Sequence, residues 1–296
     1  MATVLEAVGV AVGRPWHRRG ARRLADTAAA RALSRAGRAA DDIDLLLNAG
    51  LYHDRILGEP ALAALIQEDI GANPEDPHEG RHGTFSFDVA NGSCGMLTGL
   101  QVADGFLRAG TIRHALVVAS DADPGRRLAP GFPFAPVGAA ILCGWRPGLE
   151  GIVGFRFGAP PDGGDDPVGG GLRATLGLAR RRNTLAVEET PTFAASAGTW
   201  AAEVAAELVA DHGLTAGEVD LVVANPLVPD FLHALRACLG VAPGRLAAPP
   251  GNQRVHTAAL GVALEPVIGE HRHEGKTVLL VSAGAGPIAG AALLRQ

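Results

Sequence analysis

Two hydrophobic periods alternate along this chain, and the switches between them mark its elements. Residues 4–12 (VLEAVGVAV), 45–48 and 114–119 are short apolar runs rich in Val, Leu and Ala, and are expected as strands buried on both faces. Between them the apolar positions recur at helical spacing. Residues 24–36 predict an Ala-rich helix, 62–70 (LAALIQEDI) a shorter one, and 96–108 an amphipathic one. In the last, Leu97, Leu100, Val102, Ala103, Phe106 and Leu107 form the apolar face, and Gly110 supplies a stop. Farther on, 133–144 (PFAPVGAAILCG) reads as a Gly/Ala-rich strand entry, 152–157 as a strand, and 193–211 and 230–239 as helices. Residues 277–294 carry no charge, but Gly284, Gly286, Pro287 and Gly290 interrupt them, which predicts strand–turn–strand rather than a membrane span.

Residues 73–83 and 121–134 show no period and read as loops. The most linker-like stretch is 159–171 (APPDGGDDPVGGG), so the division is expected there, between an N-terminal half 1–158 and a C-terminal half 172–296. The two halves share a pattern. RALSRAGRAADDIDLLLNAG (31–50) and ELVADHGLTAGEVDLVVANP (207–226) each run helix, acidic connector, then an Ile/Val-Asp-Leu strand, 176 residues apart. That offset is too long for a solenoid repeat and suits a duplicated fold.

The chemistry concentrates at one junction. Strand 85–89 leads through Ala90, Asn91, Gly92, Ser93 and Cys94 into helix 96–108. A strand-to-helix turn of this kind places a small polar side chain beside free backbone N–H groups, where a developing anion is favoured. FDVANGSCGMLTGLQVADGFLRAG, residues 87–110, resembles the nucleophile segment of β-ketoacyl-ACP synthase III and its thiolase-superfamily relatives. In register with Val102-Ala103-Asp104, Ser93 stands at the nucleophile position and Cys94 one residue later. The family pairs its cysteine with a His and an Asn from the second half. Here Asn225 occupies the His position, and Asn252 of a Gly-Asn pair keeps the Asn position; two extra residues before the helix would move Asn252 or bring His256 closer.

The resemblance implies a thiolase fold: αβαβα layers in two similar halves, each with a mixed five-stranded sheet. It further implies a homodimer or heterodimer in the cytoplasm, handling acyl-CoA or a phosphopantetheinyl acyl carrier protein without a further cofactor. The closing Gly-rich loop at Gly286 and the Ser93 backbone are expected to supply oxyanion N–H groups. Trp16 and Arg18, in a small basic cluster, are candidates for meeting the CoA or pantetheine phosphate. A serine hydroxyl needs a general base, which Asn225 cannot be; His256 and His53 are the candidate substitutes, and Cys94 the candidate nucleophile if the register slips. Three functions stay open. One is a synthase III-like acyltransferase working through Ser93, another a non-catalytic partner subunit of a heterodimeric enzyme. The third is an acyl-CoA-binding protein without turnover.

Composition narrows this little. With 296 residues, 47% hydrophobic and 19% charged, the chain has ample core for two halves. A net charge of −5 argues against a general nucleic-acid binder. Three cysteines without a Cys-x-x-Cys spacing fit a reducing compartment. His271 and His273 have a metal-like spacing but no third ligand nearby in sequence, so no metal is expected.

Overall fold

The computed structural model describes residues 2–13, 20–53, 60–73, 83–125, 127–148, 150–159, 172–179, 182–189, 193–225, 229–251, 254–268, 275–284 and 288–296. The first sheet contains β1 (Ala2–Val12), β2 (Leu45–Asn48), β3 (Phe85–Asp88), β4 (His114–Asp121) and β5 (Val137–Arg146). Their order is β1-β5-β4-β2-β3. β5 is antiparallel to both neighbours, while β4, β2 and β3 run parallel. The second sheet repeats this plan with β6 (Gly151–Gly158), β9 (Leu221–Ala224), β10 (Leu246–Ala247), β11 (Thr277–Gly284) and β12 (Ile288–Arg295), in the order β10-β9-β11-β12-β6. β12 is antiparallel to both neighbours, and β11, β9 and β10 run parallel. Both five-stranded sheets are therefore mixed, as the resemblance implied.

The repeat is visible down to single side chains. β2 and β9 are the two copies of the repeated strand. The aspartate before each does the same work: Asp44 accepts the N–H groups of Arg113 and His114 at 2.6 and 3.0 Å, and Asp220 accepts that of Thr277 at 2.9 Å. Each carboxylate ties its strand to the start of the neighbouring parallel strand, satisfying donors that would otherwise sit unpaired at the sheet end.

Helices complete five layers. α1 (Ala21–Ala36) and α2 (Leu62–Ile70) cover the outer face of the first sheet through Leu24, Ala28, Leu33 and Ile66. α4 (Phe193–Asp211) and α5 (Pro229–Leu239) cover the outer face of the second. α3 (Gly95–Arg108) and α6 (Ala259–Ile268) lie between the sheets, in a core that holds Met96, Leu100, Leu260 and Leu264 with residues of both. Among the described residues, no helix is long and apolar enough to cross a membrane.

Two sequence expectations need correcting. β6 falls within the expected N-terminal half, 1–158, yet it pairs with β12 in the second sheet. The topological division thus lies between β5 and β6, ahead of 159–171. Sheet pairing rather than composition assigns a strand, and residues 160–171 lie outside the described residues. The second half also holds an antiparallel strand pair that periodicity did not predict, β7 (Leu172–Ala179) with β8 (Arg182–Glu189). Its Ala, Leu and Arg content is helix-leaning, and strand pairing overrides that preference. The hairpin touches the body where the Leu185 N–H donates to the Leu128 carbonyl at 2.6 Å.

Candidate active site

β3 delivers the chain to the junction, and its last residue prepares the ground. The Asp88 carboxylate accepts the Leu62 and Ala63 N–H groups at the start of α2, at 2.9 and 2.8 Å, and the Asn48 amide at 3.0 Å. A 3-10 turn, Gly92–Cys94, then enters α3. The helix lies close on the first sheet because two positions lack side chains. A Cβ on Gly95 would stand 3.1 Å from that of Ala49, and one on Gly99 2.7 Å from Cγ1 of Val117.

The second sheet clamps the same turn. The Ser93 hydroxyl donates to the Ala283 carbonyl of β11, and the Asn225 amide, just past β9, donates to the carbonyl of Ser93 itself. The Asn225 N–H is bound to the Val281 carbonyl at 3.0 Å. Ser93, Cys94 and Asn225 have no exposed surface. The Ser93 proton is thus directed at a peptide carbonyl, which is no base, and no titratable side chain hydrogen-bonds Ser93 among the described residues. Cys94 does not take over. Its Sγ lies 3.7 Å from the Ile288 carbonyl, and burial pushes the thiol up to about 12, so it stays protonated at neutral pH despite the helix N-terminus. The Asn225 carbonyl oxygen is buried and has no hydrogen-bond partner among the described residues.

A second constellation forms at the carboxyl end of β4 in the same sheet. His256, 1% exposed, precedes Thr257, Ala258 and α6. Its ring stacks on Phe134, with centroids 4.3 Å apart, and lies 5.3 Å from that of Tyr52. Its Nδ1 is 3.5 Å from Oδ2 of Asp121, an ion-pair rather than a hydrogen-bond separation. Asp121 is buried. Burial works to raise its pKa, but the adjacent His256 imidazole and the hydrogen bonds from Thr257 and the Tyr52 backbone outweigh that and hold it below the usual carboxylate range. Tyr52 is pushed up to about 12, by burial first and the Asp121 charge second, and remains a neutral phenol.

The structure therefore brings Ser93 and Asn225 into contact and joins His256 to a different partner. Asp121 was not singled out from sequence. The available signal was an aspartate closing the apolar run 114–119, at the end where the parallel strands deliver the site. His53, half-buried, follows Tyr52 in this corner. Asn252, Gly286, Trp16 and Arg18 lie outside the described residues.

Comparison with known proteins places this arrangement. The model of the family 3-oxoacyl-[acyl-carrier-protein (ACP)] synthase III matches residues 87–124, from β3 through the turn and α3 to the end of β4. A β-ketoacyl-[acyl-carrier-protein] synthase III of Alkalilimnicola ehrlichii is 38% identical over 98 residues, 33% of this chain and 27% of that relative. One from Rhizorhabdus wittichii is 29% identical over 283 residues, covering 92% of this chain and 83% of the relative. Among solved structures, the synthase III of Aquifex aeolicus aligns over all of both chains with a TM-score of 0.78 at 18% identity. Xanthomonas campestris OleA aligns over 100% of this chain and 99% of its own, with a TM-score of 0.81 at 16% identity. The fold is the thiolase fold. Within it, the chain is similar to β-ketoacyl-[acyl-carrier-protein] synthase III proteins.

Proposed function

We propose that the chain is a synthase III-like acyltransferase that moves an acyl group from a CoA or carrier-protein thioester to a hydroxyl or amine acceptor, with His256 as the base. The observation that carries this reading is the buried Asp121–His256 pair, an imidazole with an anion placed to balance a proton it takes up. His256 would remove the acceptor's proton as the acceptor attacks the thioester carbonyl. The tetrahedral adduct would expel the thiolate, which regains the proton from the imidazolium. This single displacement needs no acyl-enzyme and leaves Ser93 to hold the turn. Coenzyme A or a phosphopantetheinyl carrier is the donor in this scheme, with no further cofactor, and a cytoplasmic dimer is the proposed working form. One OleA structure aligned with this chain carries bound lauric acid and lauroyl-CoA, so long-chain acyl-CoAs belong in the donor panel.

The clamped turn favours a second reading, a partner subunit that completes a heterodimer without chemistry of its own. One experiment separates these readings. Wild type, Ser93→Ala, Cys94→Ala and His256→Gln are incubated with a panel of acyl-CoAs and acceptors, and both intact mass and released thiol are followed. Transfer that disappears only in His256→Gln, without a protein adduct, supports single displacement. An adduct lost only in Ser93→Ala makes Ser93 the acyl carrier and overturns it. No turnover until a homologous subunit is added establishes the partner reading.

A further inference from the structure

The carboxylate of Asp121 collects an unusual number of donors. Its Oδ1 accepts the N–H groups of Leu51 and Tyr52 at 3.3 and 3.0 Å. Its Oδ2 accepts the Thr257 N–H and hydroxyl at 2.8 and 2.6 Å. Four donors from two loops fill the lone pairs of a side chain that is 1% exposed. Only an ionised carboxylate accepts on every side. Those donors hold the buried carboxylate ionised without a counter-ion, and among the described residues no lysine or arginine hydrogen-bonds it. The group of variable charge beside it is the imidazole of His256, whose Nδ1 has no hydrogen-bond partner among the described residues.

From this geometry we infer that Asp121 is a positioning residue for His256: it keeps the ring proton on Nδ1 and leaves Nε2 as the nitrogen that takes up a proton. The inference rests on the reading of His256 as the base. A carboxylate cannot donate, so Nδ1 interacts favourably with it only as N–H. At 3.5 Å the contact is loose because Oδ2 already holds two Thr257 donors. It shortens when Nε2 is protonated and the ring becomes a cation, which is the tightening expected of a base caught before its substrate arrives. The aromatic faces of Phe134 and Tyr52 restrict ring rotation, so the assignment of the two nitrogens is fixed by packing as well as by charge. Thr257 carries the link on to α6, and Tyr52 carries it to β2, so one acid also sets the spacing of the loops on either side of the ring.

The test is a long-range ¹⁵N–¹H correlation spectrum of labelled full-length protein at about pH 8, where histidine is ordinarily neutral. The His256 signals are assigned by their loss in His256→Gln. The expected result is a protonated Nδ1 and a bare Nε2; a protonated Nε2 with a bare Nδ1 in wild type overturns the inference. In Asp121→Asn the proton moves to Nε2, and transfer to the acceptor falls about 10²-fold, the scale of a lost general base. A folded Asp121→Asn protein that keeps the wild-type tautomer also overturns it. Should that variant fail to fold, the wild-type spectrum decides alone. An Nδ1–H tautomer together with undiminished transfer by His256→Gln sustains the pairing and refutes His256 as the base, so the two failures are distinct.

Discussion

Replacing Ser93 by alanine distinguishes a serine that holds the turn from one that attacks. In this structure the hydroxyl is fully buried and donates to the Ala283 carbonyl. Alanine removes the donor but leaves the carbonyl facing the vacated space between β11 and the turn. A neutral buried hydrogen bond contributes about 1 kcal/mol net, and an abandoned buried acceptor costs about 1–3 kcal/mol. The vacated volume is that of one hydroxyl oxygen, so the cavity adds little. The expected loss is about 1–2 kcal/mol, which at about 2 °C per kcal/mol for a chain of this size lowers Tm by about 2–4 °C. A nucleophile poised for chemistry behaves in the opposite way: it is held at a cost to stability, so alanine there is neutral or stabilising. Calorimetry or a thermal fluorescence scan therefore reads the role from the sign of the shift. A Ser93→Ala protein as stable as wild type or more so, which has also lost an acyl adduct that wild type forms, would refute the structural account of Ser93.

Three further outcomes follow from the same coordinates. Of the three cysteines, Cys94 and Cys143 are buried and Cys238 is exposed, so iodoacetamide should add one label to the native chain and three in denaturant. Rapid native labelling of Cys94 would contradict its thiol being pushed up to about 12 by burial. Asp26, on α1 beside Asp69 of α2, is pushed up to about 7, by burial first and by the charge of Asp69 second. The folded chain holds that proton more tightly than the unfolded one, so stability falls as pH rises from about 4 to about 7. Asp26→Asn should accordingly be more stable than wild type at about pH 8 and lose that advantage at about pH 4 in urea melts. Gly99→Val should destabilise by several kcal/mol or prevent folding, because even a Cβ there would stand 2.7 Å from Val117.

The parts of the fold readable from sequence are those fixed by local physics. α2 and α4 occupy the ranges their periodicity predicts, and 277–294 is the antiparallel pair β11–β12 that its interrupting Gly and Pro residues imply. Helical spacing and turn residues act over a few positions, so one sequence suffices to see them. β6 was assigned to the wrong half because strand identity depends on a partner some 140 residues away, Gly151 pairing with Arg295. The hairpin β7–β8, whose strands are neighbours in sequence, escaped because its Ala, Leu and Arg content leans towards helix. At the site, the contact between residues 93 and 225 was legible as a resemblance. What each atom does there was not, because the direction of a hydroxyl is set by Ala283, a residue without chemistry of its own.

The duplication explains why the two halves agree at their sheet ends and differ at the site. Asp44 and Asp220 repeat because both halves must satisfy the same sheet end, and that requirement is structural and symmetric. The site lies between the halves, where one sheet presents a turn and the other presents the residue that meets it. Symmetry fixes nothing at such a place. Asn225 follows the second repeated strand and grips Ser93, whereas Ala49 follows the first and merely underlies Gly95. A substitution at 225 therefore changes chemistry without disturbing the repeat, and a base can reappear on another element without cost to the layers. In the proposed scheme His256, ahead of α6 and beside the Asp121 that ends β4, is such a base: its imidazole reaches an anion that already ties two loops together.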